Sequence, residues 1–547
     1  MKNYIRTLVL AISVTLFLCC TTNKEVDLIV YNANIYTVDS SFSRAQAFAI
    51  KNGIFIDIGS SEEIMQKYTA KEHIDAQGRA IYPGLYDAHA HFFMLAELLE
   101  QVDLGGAQSI AEVVERLKAY QKAYPDKKWL VGGGWDQNLW DGKSFPSKDS
   151  LDKYFPETPV FLSRVDYHAA WVNSKALEAA RISSAQTVEG GLIVSDTLGV
   201  PTGILLDNAM QLVSQYIPAA EERPLLLSLR RAQDSLLSVG LTSIVDAGLT
   251  LEQLEYLKKF YQQDSLKIRD YAMIAGNPGS IDKYIRDGFY ESDRLTIRSV
   301  KLMADGALGS RGACLLDHYH DAATRGFLLH SPEEFDRVIE RLALTDFQVN
   351  THAIGDSANR LILDAYGRHL KDGKNRRWRI EHAQVVSPTD FAKFSRFHIL
   401  PSVQPTHATS DMYWVEDRLG PQRVKGAYAY KELLKQYGKL ALGSDFPVEH
   451  FNPLYGFHAA VARVDKTGFP KGGFQIENAI SREDALRGMT IWAAFSCFQE
   501  KKRGSIERGK DADFVIMEKD IMTAPAEELR DIKTWRTVIG GETVFSR

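Results

Sequence analysis

The apolar residues of the chain fall into two kinds of pattern. Near the start, "VDLIVYNANIYTVD" and "AFAIKNGIFIDIGS" are typical of β-strands, and the Asn-Gly pair at 52–53 predicts a hairpin between two apolar runs. The far end repeats the pattern in "DADFVIMEKD" and "WRTVIGGETVFSR", with the Gly-Gly pair at 540–541 as the turn. We therefore expect a small composite β-sandwich built from residues 26–80 and 500–547.

Between these β segments, short apolar runs alternate with amphipathic stretches, which is typical of βα units around a parallel sheet. Eight runs qualify as strands, and eight strands with helical crossovers favour an α/β fold with a (β/α)8 TIM barrel over residues 81–499. A doubly wound open sheet is the structural alternative. The predicted strands are Tyr86 to His91, Thr242 to Asp246, Ile268 to Ile274, Ile297 to Met303, Phe347 to His352, Trp378 to His382, His398 to Gln404 and Leu440 to Asp445.

The spacing of the first two predicted strands breaks this rhythm. About 150 residues separate them, whereas a βα unit needs roughly 30 to 40. We therefore expect a large insertion after strand 1, at about 100–235. Long excursions from the active-site face of a barrel usually shape a pocket, and a purely structural subdomain is the alternative.

The first residues form a leader. Two basic residues precede the apolar run 8–18, which is too short to span a bilayer comfortably and is typical of a signal peptide over 1–19. Cleavage before Cys20 would leave a cysteine that resembles the lipidation site of a bacterial lipoprotein. We expect an exported chain that a lipid on Cys20 holds at the bacterial cell envelope, on the periplasmic or surface side. The alternatives are modification of Cys19, a plain cleaved signal and a short anchor.

Composition excludes some partners. The net charge is −5, and we find no cluster of basic residues, so we expect no nucleic acid. Beyond the leader only Cys314 and Cys497 remain, which is too few for a disulfide framework and favours buried free thiols. The expected partner is a small-molecule substrate, the lipid anchor is the only expected membrane contact, and a homodimer is compatible with the sequence.

Residues that can bind metal follow the carboxyl ends of several predicted strands. In "GLYDAHAHF", His89 and His91 are two residues apart, so their side chains point to the same face of an extended strand. A second pair with this spacing, His318 and His320, occurs among the 14 histidines, so the spacing alone does not distinguish a site from chance. Other strands supply Lys301, His352, His382 and Asp445.

Four imidazoles, one carboxylate and a lysine on one rim of one barrel indicate one or two divalent cations such as zinc. Such cations would repel an ammonium group. Lys301 fits the site if its amine carries CO2 as a carbamate, an anionic ligand that can bridge two metals. A salt bridge from Lys301 to Asp305 or another acid is the alternative.

These residues resemble the metal-binding set of the amidohydrolase superfamily, and nearby phrases resemble its branch containing N-substituted formamide deformylases. The phrases are "PGLYDAHAHF", "GGGWDQ", "DYHAAWVNSKAL", "PTGIL", "KLMADGALGSRGA", "THAIGD", "RIEHAQ", "LGSDFPVE" and "GSIERGKDADFVI". The resemblance runs from about Val26 to the C-terminus. One departure is Asp207, where the branch has a glutamate.

The resemblance implies two metal sites that share a bridge, although some relatives keep one metal. His89, His91 and Asp445 would hold the first metal. His352 and His382 would hold the second, and the carbamate of Lys301 would bridge the two.

The resemblance also implies hydrolysis of a C–N bond other than a peptide bond, in a small N-acyl or N-formyl substrate. Asp445 would act first as general base and then as general acid. The alternatives are a metal-dependent lyase or isomerase on the same scaffold, and a non-catalytic surface lipoprotein that binds a ligand. Residues expected to face the substrate, with core packing or local hydrogen bonding as the alternative for each, are Trp135, Asp136, His168, Asn173 and Arg311.

Overall fold

The computed structural model describes residues 24–184, 186–218, 222–371 and 375–547. The predicted signal peptide and Cys20 lie outside these residues. Within the described ranges, no helix has both the length and the apolar content that a membrane crossing requires. Cys314 and Cys497 are both free thiols, half-buried and buried respectively.

Eight parallel strands form the barrel of the central sheet, and each of them overlaps one of the predicted strands. The short strand Tyr290–Glu291 joins the sheet as a ninth, antiparallel strand. Their hydrogen-bonded order follows the chain from β1 to β8. The bounds are β1 Leu85–Ala90, β2 Leu241–Leu249, β3 Arg269–Ala275, β4 Leu295–Met303, β5 Gln348–Ala353, β6 Arg379–His382, β7 Leu400–Val403 and β8 Ala441–Leu442.

The sheet closes where β8 meets β1. The backbone nitrogen of Asp445 donates to the carbonyl of His89 at 2.8 Å, and that of His91 donates to the carbonyl of Phe446 at 2.8 Å. Ser444 Oγ adds a hydrogen bond of 2.6 Å to Asp87 Oδ2. This closure confirms the TIM barrel and excludes the open sheet.

Helices surround the barrel and cover its outer face, so the strands are buried on both sides. All six residues of β1 are buried, and alternate residues Tyr86 and Ala88 pack inside the barrel against Val245 and Tyr271. The helices that connect and follow the barrel strands are Phe92–Leu98, Glu222–Ser238, Leu251–Gln262, Pro278–Asp287, Pro332–Ala343, Asp356–His369, Phe391–Arg396, Pro405–Asp411, Val415–Arg423, Tyr430–Tyr437, Pro453–Ala462, Arg482–Gly488 and Ile491–Ser496.

Segments from both ends of the chain build two further sheets, as the terminal patterns predict. Both predicted hairpins form, because strands flank residues 52–53 and 540–541 as antiparallel pairs. Phe514–Met517 pairs with Ala80–Pro83, which joins the two ends of the chain in one sheet. The remaining terminal strands are Lys24–Tyr31, Asn34–Tyr36, Arg44–Ala45, Ala47–Lys51, Ile54–Gly59, Tyr68–Asp75, Thr534–Ile539 and Glu542–Ser546.

The insertion between β1 and β2 contains a six-stranded sheet of its own. Its tryptophans Trp135, Trp140 and Trp171 pack on one another in a separate core, with ring centroids 5.9 to 6.4 Å apart. The strands are Val102–Asp103, Leu130–Trp135, Val160–Arg164, Ala169–Val172, Gly191–Ser195 and Pro201–Asp207, and the main helices are Ile110–Ala123 and Ser174–Ala179. The exact limits of the domains stay predictions.

Candidate metal centre

The predicted ligands converge at the carboxyl end of the barrel. His89 lies in β1 and His91 directly follows it, while Lys301 and His352 lie near the ends of β4 and β5. His382 is the last residue of β6 and Asp445 follows β8. His382 and Asp445 both have left-handed backbone conformations, with φ values of 73° and 63°. Such strain in residues other than glycine clusters at functional sites.

His89, His91 and Asp445 form one compact group of three potential ligands. Asp445 Oδ1 lies 3.1 Å from His91 Nε2 and 3.5 Å from His89 Nε2. The other ring nitrogen of His89 lies 2.6 Å from Glu381 Oε2, and that of His91 lies 3.1 Å from the carbonyl of Ala247. Metal-binding histidines are oriented in this way, because a carboxylate or carbonyl fixes the nitrogen that faces away from the metal.

A second group combines His382, His407 and Asp445. Asp445 Oδ2 lies 3.7 Å from His407 Nε2 and 4.0 Å from His382 Nδ1. The His382 and His407 rings stack with centroids 6.0 Å apart. The sequence reading missed His407, because it lies inside the helix Pro405–Asp411 and not at a strand end.

His352 lies beside His382 but belongs to neither group. Its ring centroid lies 4.5 Å from that of His382. Its Nε2 atom lies 3.5 Å from the carbonyl oxygen of Gly306 and 3.6 Å from Asp305 Oδ1. The second pair with the same spacing, His318 and His320, contributes to neither group among the described residues.

Lys301 is buried in the centre of the site, and its Nζ lies 3.1 Å from His89 Nε2. No carboxylate oxygen of the described residues lies within 4.0 Å of this Nζ. The salt bridge to Asp305 is therefore wrong, because the Asp305 carboxylate accepts backbone N–H groups of Cys314, Ile354 and Gly355. Burial lowers the pKa of Lys301 to about 8, which favours the neutral amine that reacts with CO2.

The buried imidazoles are held neutral, as metal ligands must be. Burial and the nearby Lys301 lower the pKa of His89 to about 4. Burial also holds the pKa values of His352 and His382 well below their usual range. Glu381 stays ionised, because Arg379 and His89 outweigh the effect of burial and lower its pKa to about 2.

The residues fit a divalent cation. Asp445 Oδ1 and His407 Nε2 are buried, and neither makes a hydrogen bond to any described residue. Unpaired buried polar atoms are costly, and a cation held by the group to which each atom belongs would satisfy it. Neutral imidazoles with a carboxylate are the ligands that zinc prefers.

A cavity of about 550 Å³ opens over this centre. The insertion supplies one wall through Asp136, Arg164 and His168, and the helical segment after β7 supplies another through Asp411 and Trp414. Buried Arg164 forms ion pairs with Asp136 and Asp166. Of the five residues expected to face the substrate, the cavity therefore contains Asp136 and His168.

The other three residues do not line this cavity, which corrects the expectation that they face it. Trp135 is fully buried in the core of the insertion, where its Nε1 donates to the carbonyl of Leu162 at 2.8 Å. Asn173 is also fully buried and caps the helix Ser174–Ala179. Arg311 faces a separate, more open cavity of about 1030 Å³ and pairs with Asp321 at 2.8 Å.

Comparison with known proteins decides the family. The profile described as amidohydrolase family matches residues 72–545. The chain belongs to the amidohydrolase family. Protein LONG AFTER FAR-RED 3 of Arabidopsis thaliana is 33% identical to this amidohydrolase over 541 residues, covering 95% of this chain and 91% of the other.

Two further relatives bear on the chemistry. The N-substituted formamide deformylase of Arthrobacter pascens is 27% identical over 545 residues, covering 95% of this amidohydrolase and 98% of that enzyme. The crystal structure of an uncharacterized metal-dependent hydrolase from Pyrococcus horikoshii OT3 superimposes with a TM-score of 0.74 and 28% identity. The superposition covers 91% of this chain and 99% of the Pyrococcus chain. This amidohydrolase is thus a metal-dependent hydrolase.

Proposed function

We propose that this amidohydrolase cleaves the C–N bond of a small N-acyl or N-formyl amide. The observation that carries the proposal is the position of Asp445, whose two oxygens face the two groups of imidazoles separately. A carboxylate there can take a proton from a water between the groups. The similarity to an N-substituted formamide deformylase supports the choice of bond.

His89, His91 and Asp445 would hold one zinc ion. His382 would hold a second, together with His352 as the family resemblance implies or with His407 as the distances favour. A bound zinc ion lowers the pKa of water towards about 7 and polarises a carbonyl oxygen.

Lys301 would bridge the two sites as a carbamate. Its neutral amine attacks CO2, a new N–C bond forms, and one proton leaves to solvent. The product carries a negative charge where the free lysine would carry a positive one. Its position beside His89 and the absence of an acidic partner within the described residues support this assignment.

Asp445 would serve as base and then as acid. It accepts a proton as water adds to the carbonyl carbon, and it returns that proton to the nitrogen as the C–N bond breaks. The products are a carboxylic acid and an amine, so atoms and charge balance.

The test is metal analysis of the purified protein together with a screen of N-acyl and N-formyl amines. We expect one to two equivalents of zinc or a similar metal, and release of free amine that chelator treatment abolishes. Full activity after removal of metal would overturn the proposal, and so would a metal-loaded protein that releases no amine.

A further inference from the structure

A second cavity lies beside the one over the metal centre. We call the cavity of about 550 Å³ the catalytic cavity, and the cavity of about 1030 Å³ that Arg311 faces the outer cavity. Of the described residues that line the two cavities, only Trp414 lines both. Its buried indole therefore lies between the two volumes.

The wall around this indole is one layer of side chains thick. Arg164 lines the catalytic cavity, and its Nε donates at 2.8 Å to Oε1 of Gln137, which lines the outer cavity. Arg418 lines the outer cavity, and its Nη2 donates at 3.4 Å to the carbonyl of Gly309, which lines the catalytic cavity. Each pair has one member on either side, so no further layer separates the cavities at these points.

The wall closes over Gly309, in the loop after β4. A Cβ atom at this position would lie 3.1 Å from Arg164 Nη1 and 3.4 Å from Trp414 Cη2. The guanidinium of the insertion and the indole of the segment after β7 therefore meet over one point of the barrel rim. Removal of the indole would open the wall at that point.

The surroundings of Trp414 hold the indole in place. Its backbone nitrogen donates to the carbonyl of Asp411 at 3.0 Å, and the Arg418 guanidinium lies 5.6 Å from its ring centroid, where a cation attracts an aromatic ring. Arg418 is itself buried, forms an ion pair with Asp321, and donates to Asn138 Oδ1 at 3.0 Å. The indole is thus a fixed part of the wall.

We infer that Trp414 sets the length of the substrate, because it separates the catalytic cavity from the outer cavity. The inference rests on the proposed function for the choice of an amide. The catalytic cavity has the size of a site for one small molecule, so it accepts short N-acyl amides and excludes amides with a long alkyl chain. Loss of the indole would join the two cavities and admit the longer chain.

The test uses alkyl hydroxamic acids, which bind zinc through the head group and carry a tail of chosen length. Binding of acetohydroxamic, hexanohydroxamic and dodecanohydroxamic acid to the full, zinc-loaded chain is measured by calorimetry. We expect the hexanoyl compound to bind more tightly than the acetyl compound. The dodecanoyl compound should bind no more tightly than the hexanoyl compound, because its tail meets the wall.

Trp414→Ala should remove this limit. We expect the dodecanoyl compound to bind this variant about tenfold or more tightly than the hexanoyl compound, since each CH2 group that leaves water strengthens binding about fourfold. Zinc content should be unchanged, and a crystal structure of the variant should show one continuous cavity. Trp414→Leu provides the same test if the alanine variant does not fold.

Two further variants grade and control the effect. Trp414→Phe should give a smaller gain for the dodecanoyl compound, because the smaller ring leaves part of the wall. Trp535→Ala removes a half-buried indole from the terminal strand Thr534–Ile539, away from both cavities. It should keep the order of affinities of the unsubstituted chain.

Three results would overturn the inference: affinity that rises up to the dodecanoyl compound in the unsubstituted chain, no gain in Trp414→Ala, or two separate cavities in the crystal structure of that variant. The crystal structure decides the question even if no hydroxamic acid binds. Failure of the proposed function is separate, because it requires that the unsubstituted enzyme release no amine. The hydroxamic acids report the length limit without amide cleavage.

Discussion

At the scale of single residues, Asp445 is the one residue that both groups of potential metal ligands share. One of its oxygens faces His89 and His91, and the other faces His382 and His407. Neighbouring imidazoles hold the pKa of Asp445 well below its usual range despite burial, so the carboxylate is ionised at neutral pH. It can therefore bind a cation and accept a proton.

Replacing Asp445 by asparagine separates these two roles. Asp445→Asn keeps an oxygen for the metal but cannot carry a proton, so we expect most of the zinc to remain and turnover to fall by about 100-fold or more. Metal analysis and amine release on the same sample measure both. Turnover close to that of the unsubstituted enzyme would contradict the role.

Lys301 gives a second prediction at this scale. Lys301→Ala should be inactive, and short carboxylic acids such as acetate should restore part of the activity by supplying the missing anionic oxygens. A crystal structure of the unsubstituted enzyme should place three extra heavy atoms on Nζ, with oxygens about 2.0 to 2.2 Å from zinc. An unmodified Nζ in an active, zinc-loaded crystal would exclude the bridge.

The residue scale also shows where sequence reasoning stops. His89, His91, His382 and Asp445 lie at or just beyond strand ends, and they come together because the parallel strands of a barrel end on one rim. His407 escapes the rule, since a helix carries it. The contact between His168 and Asp207 joins residues 39 positions apart in an insertion whose fold has no such rule.

At the scale of elements, the junction of β8 and β1 controls the position of His89. A Cβ atom at Gly443 would lie 2.5 Å from the backbone nitrogen of His89 and 2.9 Å from Asp87 Oδ1. Neither neighbour can move freely, because Asp87 accepts hydrogen bonds from Ser444 and His89 is fully buried. The close approach of the two strands therefore requires glycine at this position.

We expect Gly443→Ala to lower the free energy of unfolding by about 1 to 3 kcal/mol through overpacking, and to lower zinc affinity with it. Gly456→Ala is the matched control, since no atom lies within 4 Å of a Cβ there and the helix Pro453–Ala462 favours alanine. Urea denaturation and zinc titration compare the two. Equal stability of both variants would contradict the packing argument.

At the scale of the whole molecule, a buried ion pair joins the barrel to the terminal sheets. Arg269 of β3 donates to Asp513 through Nε at 2.7 Å and through Nη2 at 3.1 Å. The charge and hydrogen bonds of Arg269 outweigh the effect of burial and hold the pKa of Asp513 below its usual range. Removal of one partner would leave the other charged and buried.

Asp513→Asn should therefore reduce the free energy of unfolding by about 3 kcal/mol at pH 7. Because the pKa of Asp513 is lower in the folded protein, its contribution is fully present above about pH 4, the unfolded value, and is lost as pH falls through the folded value. The difference from the unsubstituted protein in urea denaturation should shrink accordingly. Asp293→Asn is the control, because Asp293 contacts the same arginine but is 77% exposed.

The export prediction also belongs to the whole molecule. Labelling cells with a fatty-acid analogue should tag the unsubstituted chain, and Cys20→Ser should lose the tag, because the thiol of Cys20 is the proposed acceptor. A tag that disappears in Cys19→Ser instead would move the site by one residue. Absence of any tag would leave a plain signal or a short anchor.

The overall architecture could be read from the sequence because barrel strands and hairpins have local signals. The hydrophobic period of a strand and the residues of a tight turn are visible within short segments. The eight strands and the two terminal hairpins were therefore predictable. The internal sheet of the insertion was not, because its strands pair across loops of very different length. No change in composition marks where the insertion begins and ends.

The closure of the barrel has a consequence for the order of events during synthesis. His89 and His91 lie on the first barrel strand, whereas Asp445 follows the last one, so the ribosome makes the first two ligands long before the third. A chain that is still being synthesised therefore offers zinc an incomplete set of ligands. We expect tight zinc capture to wait for the finished chain, so the compartment in which folding ends supplies the metal.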